Sequence, residues 1–246
     1  MESLLTYKDL KKTYLANNKL KFDKRVNRWF PLNPSPVLAG IIADLMADGN
    51  LQGPTKWRFD YCSKHTKELK RFEKTIFSLF NLKGKIRPCT KNKYNTKNYG
   101  VNCRPLAKTL FLLGVPYGNK VLKKYLIPNW VLDDKDCFKV FVKRYLDCEA
   151  GVDLANKAIS FEIHKSTDFI ENSFAFFNQF RQGLQKHFGI KTTNPFKLSL
   201  KIKRKSGATV QAVRIKIRGK DNLRRFYSEI GFDNKLKMER LKSTIT

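Results

Sequence analysis

The sequence has few cysteines, and their spacing does not suit cross-links or zinc. Five cysteines occur among 246 residues, and no two of them form a CxxC pair. An odd number of cysteines without paired spacing argues against a disulfide framework and against a zinc ribbon. We therefore expect reduced thiols and an intracellular, reducing location such as the cytoplasm, the nucleoid or an organelle matrix.

Long apolar runs are also missing. A transmembrane helix needs about 20 apolar residues in a row, and no stretch of the sequence approaches that length. Residues 1–15 lack the apolar core of a secretory signal. Hydrophobic residues still make up 41% of the chain and aromatic residues 13%, which is enough for one large core or two small ones. The sequence predicts a soluble, globular protein without a membrane partner.

Acidic residues are scarce. Asp and Glu number 21, against 50 Lys and Arg, so the formal net charge is +29. A folded surface with that excess repels itself, and nucleic acid is the natural polyanion to neutralise it because binding releases condensed counterions. Ribosome-associated and membrane-peripheral proteins also have basic surfaces, but the composition favours a nucleic-acid partner.

The pattern of predicted elements occurs twice along the chain. After a proline cluster, an apolar helix over 37–49 precedes two strands, of which 57–62 is the clearer, and then a helix over 67–80, two further strands and a closing helix. The same order returns from Cys137. We expect an α+β fold of two αββαββα repeats related by a pseudo-twofold axis. The predicted domains are a basic extension (1–31), a first repeat (32–124), a linker (125–136) and a second repeat (137–246).

One predicted hairpin carries a row of like charges. In 197–203 three apolar residues alternate with lysine and serine, and in 213–218 valine and isoleucine alternate with Arg214, Lys216 and Arg218. Alternate strand residues point to opposite faces, so we expect the apolar set to pack on helices and the other face to form a cationic grid. A solvated face usually mixes charge signs, and a two-stranded ribbon fits a DNA major groove. The apolar set of 197–203 is Leu198, Leu200 and Ile202.

Each predicted repeat opens on a helix that ends in an acidic residue beside small residues. These acids are Asp48 and Glu149. Alanines at 39, 43 and 47 form a strip on which another helix could approach closely, which would bring the two acids together. Carboxylates at helix C-termini repel each other, and a hard divalent cation such as Mg²⁺ removes that repulsion. Either acid alone is more simply a turn residue, but their recurrence favours a metal site.

The segment VLAGIIADLMADG resembles the LAGLIDADG motif, and FVKRYLDCEAGV resembles its second copy. GKI, IPNWV and FGI are also similar to two-motif members, so the resemblance covers most of residues 34–232. It implies a single-chain, monomeric homing endonuclease with saddle-shaped antiparallel sheets in the major groove of a long double-stranded DNA target. Such enzymes use Mg²⁺, which Mn²⁺ can replace, to hydrolyse phosphodiesters in both strands during intron or intein homing.

The resemblance also assigns roles to particular residues. It places the metal-binding carboxylates at Asp48 and Glu149, with the backbone carbonyls of Ala47 and Cys148 beside them. It also implies a pocket of polar or basic residues just after the first long strand of each repeat, where a lysine could stabilise the pentavalent phosphate or orient the water. The pocket residues are Ser63, Lys64 and Lys165.

Two positions depart from the family pattern. The usual glycine five residues before the acid is replaced by Ala43 in the first motif and by Arg144 in the second, and the glycine after Glu149 is displaced by Ala150. Arg144 is bulky, so either the helices splay there, or its side chain extends toward solvent, or the register of the second motif is shifted.

Side chains on the polar faces of the predicted strands are candidates for base reading. Arginine and lysine can address guanine, whereas Asp60 and Glu162 could accept from cytosine N4, and some lysines would contact only phosphates. The basic loop at 91–98 is a candidate DNA clamp. The strand candidates are Lys56, Arg58 and Asp60 in the first repeat, and Ser160, Glu162, Lys201, Lys203, Arg214, Lys216 and Arg218 in the second.

Two other functions are compatible with the same scaffold. One is an RNA maturase that assists splicing, with intron RNA as its partner, and the other is a catalytically inactive DNA-binding regulator, because a fold does not fix a function. The presence of both acids favours the enzyme over the regulator.

Overall fold

The computed structural model describes residues 3–14, 24–89 and 95–246. The chain divides into two compact units, residues 1–118 and 119–246. Residues 91–94 of the predicted DNA clamp lie outside the described residues, and its last two residues belong to a strand that begins at Lys97. Among the residues described, no helix has the length and apolar character to cross a membrane.

The first unit contains a four-stranded antiparallel sheet with spatial order β1-β2-β4-β3. Its strands are β1 (Gly49–Gln52), β2 (Arg58–Ser63), β3 (Lys85–Pro88) and β4 (Lys97–Val101). Its helices are α1 (Tyr7–Lys12), α2 (Lys24–Asn27), α3 (Pro36–Met46), α4 (Thr66–Phe80) and α5 (Arg104–Leu112).

The second unit contains another four-stranded antiparallel sheet with the equivalent order β5-β6-β8-β7. Its strands are β5 (Ala150–Asp153), β6 (Ala158–Ser166), β7 (Phe196–Lys203) and β8 (Thr209–Arg218). Its helices are α6 (Asn129–Asp133), α7 (Lys135–Glu149), α8 (Ile170–Phe188), α9 (Lys220–Glu229) and α10 (Lys235–Ile245), with 3₁₀ turns at Lys120–Leu122 and Thr167–Phe169. The predicted α+β class and the αββαββα order are confirmed, from α3 to α5 and from α7 to α9.

The strand registers of the two sheets also correspond. Gly49 of β1 lies opposite Tyr61 of β2, and Ala150 of β5 lies opposite Phe161 of β6. Tyr61 and Phe161 therefore occupy equivalent positions, and residues counted from them along β2 and β6 can be compared one by one.

Aromatic side chains dominate the core of each unit. In the first, the Tyr61 ring stacks on Phe72 of α4 with centroids 4.8 Å apart. In the second, Phe161 of β6 packs on Phe180 of α8 at 5.2 Å and on Phe177 at 5.5 Å. Apolar residues recur on one side of α8 at helical spacing, so that side covers the apolar face of the sheet.

The N-terminal segment packs on the first unit. Leu10 and Val26 are buried, and the Trp29 indole N–H donates to the carbonyl of Phe80 at 2.9 Å. The Lys108 ammonium of α5 donates to the carbonyl of Thr13. These residues add to the core of the first unit, while the proposed division into an extension, two repeats and a linker stays a prediction.

The segment expected to be a linker, 125–136, contains α6 and the start of α7. The Tyr125 N–H donates to the Asn172 side chain of α8 at 3.0 Å, and the Ile127 N–H donates to Gln179 at 2.9 Å. These bonds hold the segment against α8. The C-terminal helix α10 was not predicted, because few of its residues are apolar and buried.

The expected packing of 197–203 is wrong. Leu200 is 68% exposed and Ile202 is 44% exposed, because β7 is the edge strand of its sheet. Phe196, not a lysine, lies opposite Arg214 on β8. The apolar residues of β7 therefore share a face with the arginine instead of packing on helices.

The expected single cationic grid is also wrong, because the lysines of β7 and the arginine of β8 lie on opposite faces of the sheet. Lys201 lies opposite Gln211 and Lys203 opposite Thr209, across a pairing that shifts register after Lys197. Opposed residues share a face of the sheet, and successive residues along a strand alternate between the two faces. Gln211 and Thr209 are an odd number of residues from Arg214, so Lys201 and Lys203 lie on the face opposite to Arg214.

Candidate functional site

Asp48 lies in the turn between α3 and β1, and its side chain is exposed. The expectation that α3 itself ends in the acid is wrong by two residues, because the helix ends at Met46 and Ala47 caps it by donating to Ala43 at 2.9 Å. The Asp48 carbonyl accepts from the Cys62 N–H of β2 at 3.2 Å. This bond fixes the acid-bearing turn to the sheet.

Gly49 is required by the close approach of this turn to α3. A Cβ on Gly49 would lie 2.5 Å from the Leu45 Cα, a distance that real Cβ atoms do not show. In the second unit the helix continues through Glu149, and Ala150 begins β5 in an extended conformation with φ −90° and ψ 146°. That difference explains why alanine can stand where the motif usually has glycine.

Glu149 is the last residue of α7 and is partly buried. The Lys237 ammonium donates to the carbonyls of Leu146 at 3.2 Å and Asp147 at 2.6 Å, where a cation offsets the partial negative charge of the helix end. The Asp147 carboxylate accepts from the backbone N–H groups of Asp233 and Asn234, and burial raises the pKa of Asp147. We call Asp233, Asn234 and Lys237 the C-terminal anchor of α7.

Arg144 of α7 binds one residue of this C-terminal anchor. Its guanidinium pairs with the Asp233 carboxylate, which also binds Lys143 at 2.8 Å. The strand registers place Glu149 and Asp48 at equivalent positions, so the register of the second motif is not shifted. Arg144 instead extends along its own unit and helps to hold the segment that fixes the end of α7.

Lys165 is a buried cation near the end of β6, with 1% of its surface exposed. Its ammonium donates to the carbonyls of Lys120, at 2.8 Å, and Lys123, and it lies 3.8 Å from the centre of the Tyr125 ring. Burial lowers the pKa of Lys165 to about 7, and the positive charge of Lys120 contributes in the same direction. The side chain can therefore gain or lose a proton near neutral pH.

Tyr125 connects this lysine to the acid of the second unit. Burial raises the pKa of the Tyr125 phenol, and the negative charge of Glu149 raises it further. The Asn172 amide donates to the Tyr125 carbonyl at 3.0 Å and fixes this stretch of chain. Sequence reasoning missed Tyr125, which belongs to no recognisable motif.

The first unit has no lysine equivalent to Lys165. Counting four residues on from the matched pair Tyr61 and Phe161 places His65 at the position of Lys165, but His65 lies beyond the end of β2 and is exposed at the start of α4. Lys64 is exposed as well, but it corresponds to His164. Sequence reasoning missed His65, because only the strand register identifies it.

Ser63 is buried and helps to begin α4. Its hydroxyl donates to the Glu68 carboxylate at 2.5 Å and accepts from the His65 N–H at 3.0 Å. This pattern satisfies backbone and side-chain groups at the first turn of a helix. A part for Ser63 in the reaction stays a prediction.

The polar face of the first sheet is broader than the sequence indicated. Arg58 and Asp60 lie on it, and the Arg58 Nε donates to the Gln52 side chain at 2.9 Å. Lys56 is not on a strand and lies in the bend before β2. Strand pairing adds residues that short, weakly alternating strands had concealed, namely Asn50, Gln52, Lys85, Arg87 and Asn98.

The polar face of the second sheet is organised by an ion pair. Arg214 donates from Nε and Nη2 to one oxygen of Glu162, at 2.8 and 2.6 Å, and the other oxygen lies 3.2 Å from His164. Ser160 and Lys216 are opposed on the same strands, and Arg218 is exposed at the end of β8. Glu162 therefore holds the Arg214 side chain across the sheet.

The donor atoms at the two acids suit a hard cation. Each unit offers one carboxylate and neighbouring backbone carbonyls, which are the oxygen ligands that Mg²⁺ and Mn²⁺ prefer. Over residues 3–14, 24–89 and 95–246, no group of three or more His, Cys, Asp and Glu side chains is arranged to hold a metal.

Comparison with known proteins gives matches in structure but not in sequence. No protein-family model matches the chain, and no curated protein does. A solved structure of mesophilic variants of the homing endonuclease I-DmoI matches with a TM-score of 0.52 at 15% identity, covering 79% of this chain and 88% of the other. I-DmoI in complex with DNA and Mn matches with a TM-score of 0.52 at 15% identity, covering 80% and 97%. With the same strand order in both units, the chain has the fold of the LAGLIDADG homing endonucleases.

Proposed function

We propose that this chain is a site-specific endonuclease of the homing type, which binds a long double-stranded DNA target as a monomer and hydrolyses a phosphodiester in each strand. One observation carries the proposal: Asp48 and Glu149 occupy equivalent positions at the junction of a helix and the first strand of each sheet. The structural neighbour I-DmoI, which has been solved with DNA and Mn, supports the same activity.

Two residues of each unit would serve as metal ligands in this proposal. The carboxylates of Asp48 and Glu149 and the backbone carbonyls of Ala47 and Cys148 are hard oxygen donors, and Mg²⁺ is the cation we propose, with Mn²⁺ as a substitute. A bound cation of this kind lowers the pKa of a water molecule and neutralises charge on the leaving oxygen. The C-terminal anchor keeps the end of α7, and so Glu149, in place.

Lys165 would position the attacking water or stabilise the negative charge on the phosphate during the reaction. With its pKa lowered to about 7, Lys165 can hold or release a proton near neutral pH. In the protonated form it can donate a hydrogen bond to a phosphate oxygen, and in the neutral form it can orient water. Tyr125 and the two backbone carbonyls fix the side chain for either role.

DNA would lie on the polar faces of the two sheets. Arg58, Lys85 and Arg87 in the first sheet, and Arg214 and Lys216 in the second, supply the positive charge for phosphate and guanine contacts. All five cysteines are free thiols, which fits the reducing intracellular location that we propose.

The experiment is selection from a random duplex library. Purified protein is incubated with linear duplexes of random sequence in Mg²⁺, and cleaved molecules are amplified and sequenced, with EDTA as the control for metal dependence. We expect one recurring site cut in both strands. Asp48→Asn and Glu149→Gln should each slow cutting by at least about a hundredfold while binding of that site is retained.

Matched controls remove the same charges elsewhere. Asp136→Asn and Glu239→Gln change exposed acids and should cut at the wild-type rate. Cutting at the wild-type rate by Asp48→Asn or Glu149→Gln would overturn the site assignment. Binding of a specific duplex without any metal-dependent cut would overturn the nuclease and favour a DNA-binding regulator.

A further inference from the structure

Edge strand β7 exposes a row of large apolar side chains. Phe196 is 39% exposed, Leu200 is 68% exposed and Ile202 is 44% exposed. We call these three residues the β7 apolar row. A single exposed apolar residue is ordinary, but three on one short strand point to an interaction surface.

The row lies on the polar face of the second sheet. Phe196 is opposed to Arg214, and Ile202 is opposed to Val210, which is on the same side of β8 as Arg214. Leu200 is two residues from Ile202 and so shares its side of the strand. The apolar row therefore shares a face of the sheet with Arg214 and Lys216, the cations assigned above to DNA, and Phe196 is directly opposed to Arg214.

The charged residues around the β7 apolar row indicate what kind of partner it binds. Residues 196–218 include no Asp or Glu, whereas lysine and arginine occur on both strands and in the turn between them. An apolar protein surface would not neutralise that charge, and lysines along an edge strand oppose pairing with a further strand. A polyanion that also presents apolar groups would complement both the positive charge of the hairpin and the apolar row.

Duplex DNA has those properties in its major groove. Thymine places its C5-methyl group there, and apolar side chains contact it. Leu200 and Ile202, two residues apart on a strand, are separated by about 6.7 Å, which is close to two base steps of about 3.4 Å along one strand. The spacing of Leu200 and Ile202 thus matches the rise along the DNA axis over two base steps.

We propose that the β7 apolar row reads thymine through its C5-methyl groups in the major groove, and so sets part of the target specificity. This inference rests on the proposed function, in which the chain binds duplex DNA. The neighbouring Arg214 and Lys216 would contact phosphate or guanine, while the row distinguishes thymine from cytosine.

The test removes only the methyl groups. Duplexes bound by the wild-type protein in Ca²⁺ are recovered from a random pool, and the recovered site is resynthesised with deoxyuridine in place of each thymine in turn. We expect one to three positions at which uracil weakens binding about fourfold, the effect of losing one buried methyl group. Leu200→Ala and Ile202→Ala should bind the thymine duplex more weakly and respond less to uracil at those positions.

Controls separate this role from loss of folding and from other partners. Leu236→Ala removes a leucine that is 56% exposed on α10, and it should keep the full response to uracil. Thermal melting by circular dichroism should be unchanged for the variants of the row. If they instead abolish a dimer seen by size-exclusion chromatography without altering DNA binding, the row is a protein interface and the proposal is overturned.

The outcomes also separate this inference from the proposed function. Equal wild-type affinity for thymine and uracil duplexes overturns the reading of methyl groups and leaves DNA binding intact. Failure of the wild-type protein to recover any duplex overturns both.

Discussion

The ammonium nitrogen of Lys165 lies 3.8 Å from the centre of the Tyr125 ring. The face of an aromatic ring attracts a cation, and two backbone carbonyls accept from the same nitrogen. Burial acts in the opposite direction and lowers the pKa of Lys165 to about 7. The negative charge of Glu149 also raises the pKa of Tyr125, so the same tyrosine interacts with both Lys165 and Glu149.

Lys165→Met should change how stability depends on pH. The pKa of Lys165 is about 7 in the folded protein, whereas the pKa of a lysine in an unfolded chain is about 10.4. Between these values the unfolded state binds more protons, so the lysine makes the free energy of unfolding rise with pH. Below pH 7 the buried ammonium lowers the free energy of unfolding by its full amount. This destabilisation is lost as the pH rises toward the pKa of lysine in the unfolded chain.

Urea unfolding at several pH values from 6 to about 10 checks this sign. The free energy of unfolding of the wild-type protein, relative to that of Lys165→Met, should increase across this range. Lys64→Met removes an exposed lysine and should give a curve parallel to the wild type. Parallel curves for Lys165→Met would show that the lysine titrates normally in the fold.

Gly49→Ala should destabilise the protein much more than Gly151→Ala. The added Cβ at Gly49 would meet the Leu45 Cα at 2.5 Å, whereas nothing lies within 4 Å of a Cβ at Gly151. Overpacking of this kind costs about 1–3 kcal/mol, and the open position should change stability by less than about 1 kcal/mol in either direction. Chemical denaturation of the two variants measures the difference, and equal effects would contradict the close approach of the turn to α3.

Lys237→Met should loosen the end of α7. The ammonium that binds the carbonyls of Leu146 and Asp147 is lost, at a cost of about 1 kcal/mol. Hydrogen exchange of the α7 amides near Glu149 should accelerate. Lys235→Met removes the same charge from an exposed position two residues earlier and should leave that exchange unchanged. Slow exchange in Lys237→Met would mean that Asp147 and Arg144 hold the helix end without the lysine.

Arg71→Met should be more damaging than Asp44→Asn. The guanidinium binds both Asp44 oxygens, at 2.6 and 2.8 Å, and the Asp44 side chain is 1% exposed while that of Arg71 is 23% exposed. Removing arginine takes the opposite charge away from a buried carboxylate, which costs about 3–5 kcal/mol. Removing the acid leaves a guanidinium that water can reach. Guanidinium chloride unfolding gives the order of the two costs, and the reverse order would contradict this account.

Helical periodicity and strand alternation were enough to predict most of the fold. They identified α4 to within one residue and the hairpin strands β7 and β8. Alternation says which residues share a face of a strand but not which face is covered. For that reason the exposed side chains of Leu200 and Ile202, on an edge strand, could not be distinguished from core residues.

The acids of the candidate site could be predicted because they recur, whereas their supports could not. Asp48 and Glu149 stand at the same place in two copies of one pattern. His65 emerges only from the strand register, and Tyr125 only from the packing of its segment on α8. Glu162 was predicted to read cytosine, and only the structure reveals its ion pair with Arg214.

The C-terminal anchor has a consequence for the order in which the protein is made. Lys237 follows the Asp147 carbonyl that it holds by 90 residues. Translation proceeds from the N-terminus, and domains generally fold as they emerge. The first unit can be complete on the ribosome while the second still waits for Asp233, Asn234 and Lys237. This order delays a firmly held Glu149 until synthesis has passed residue 237.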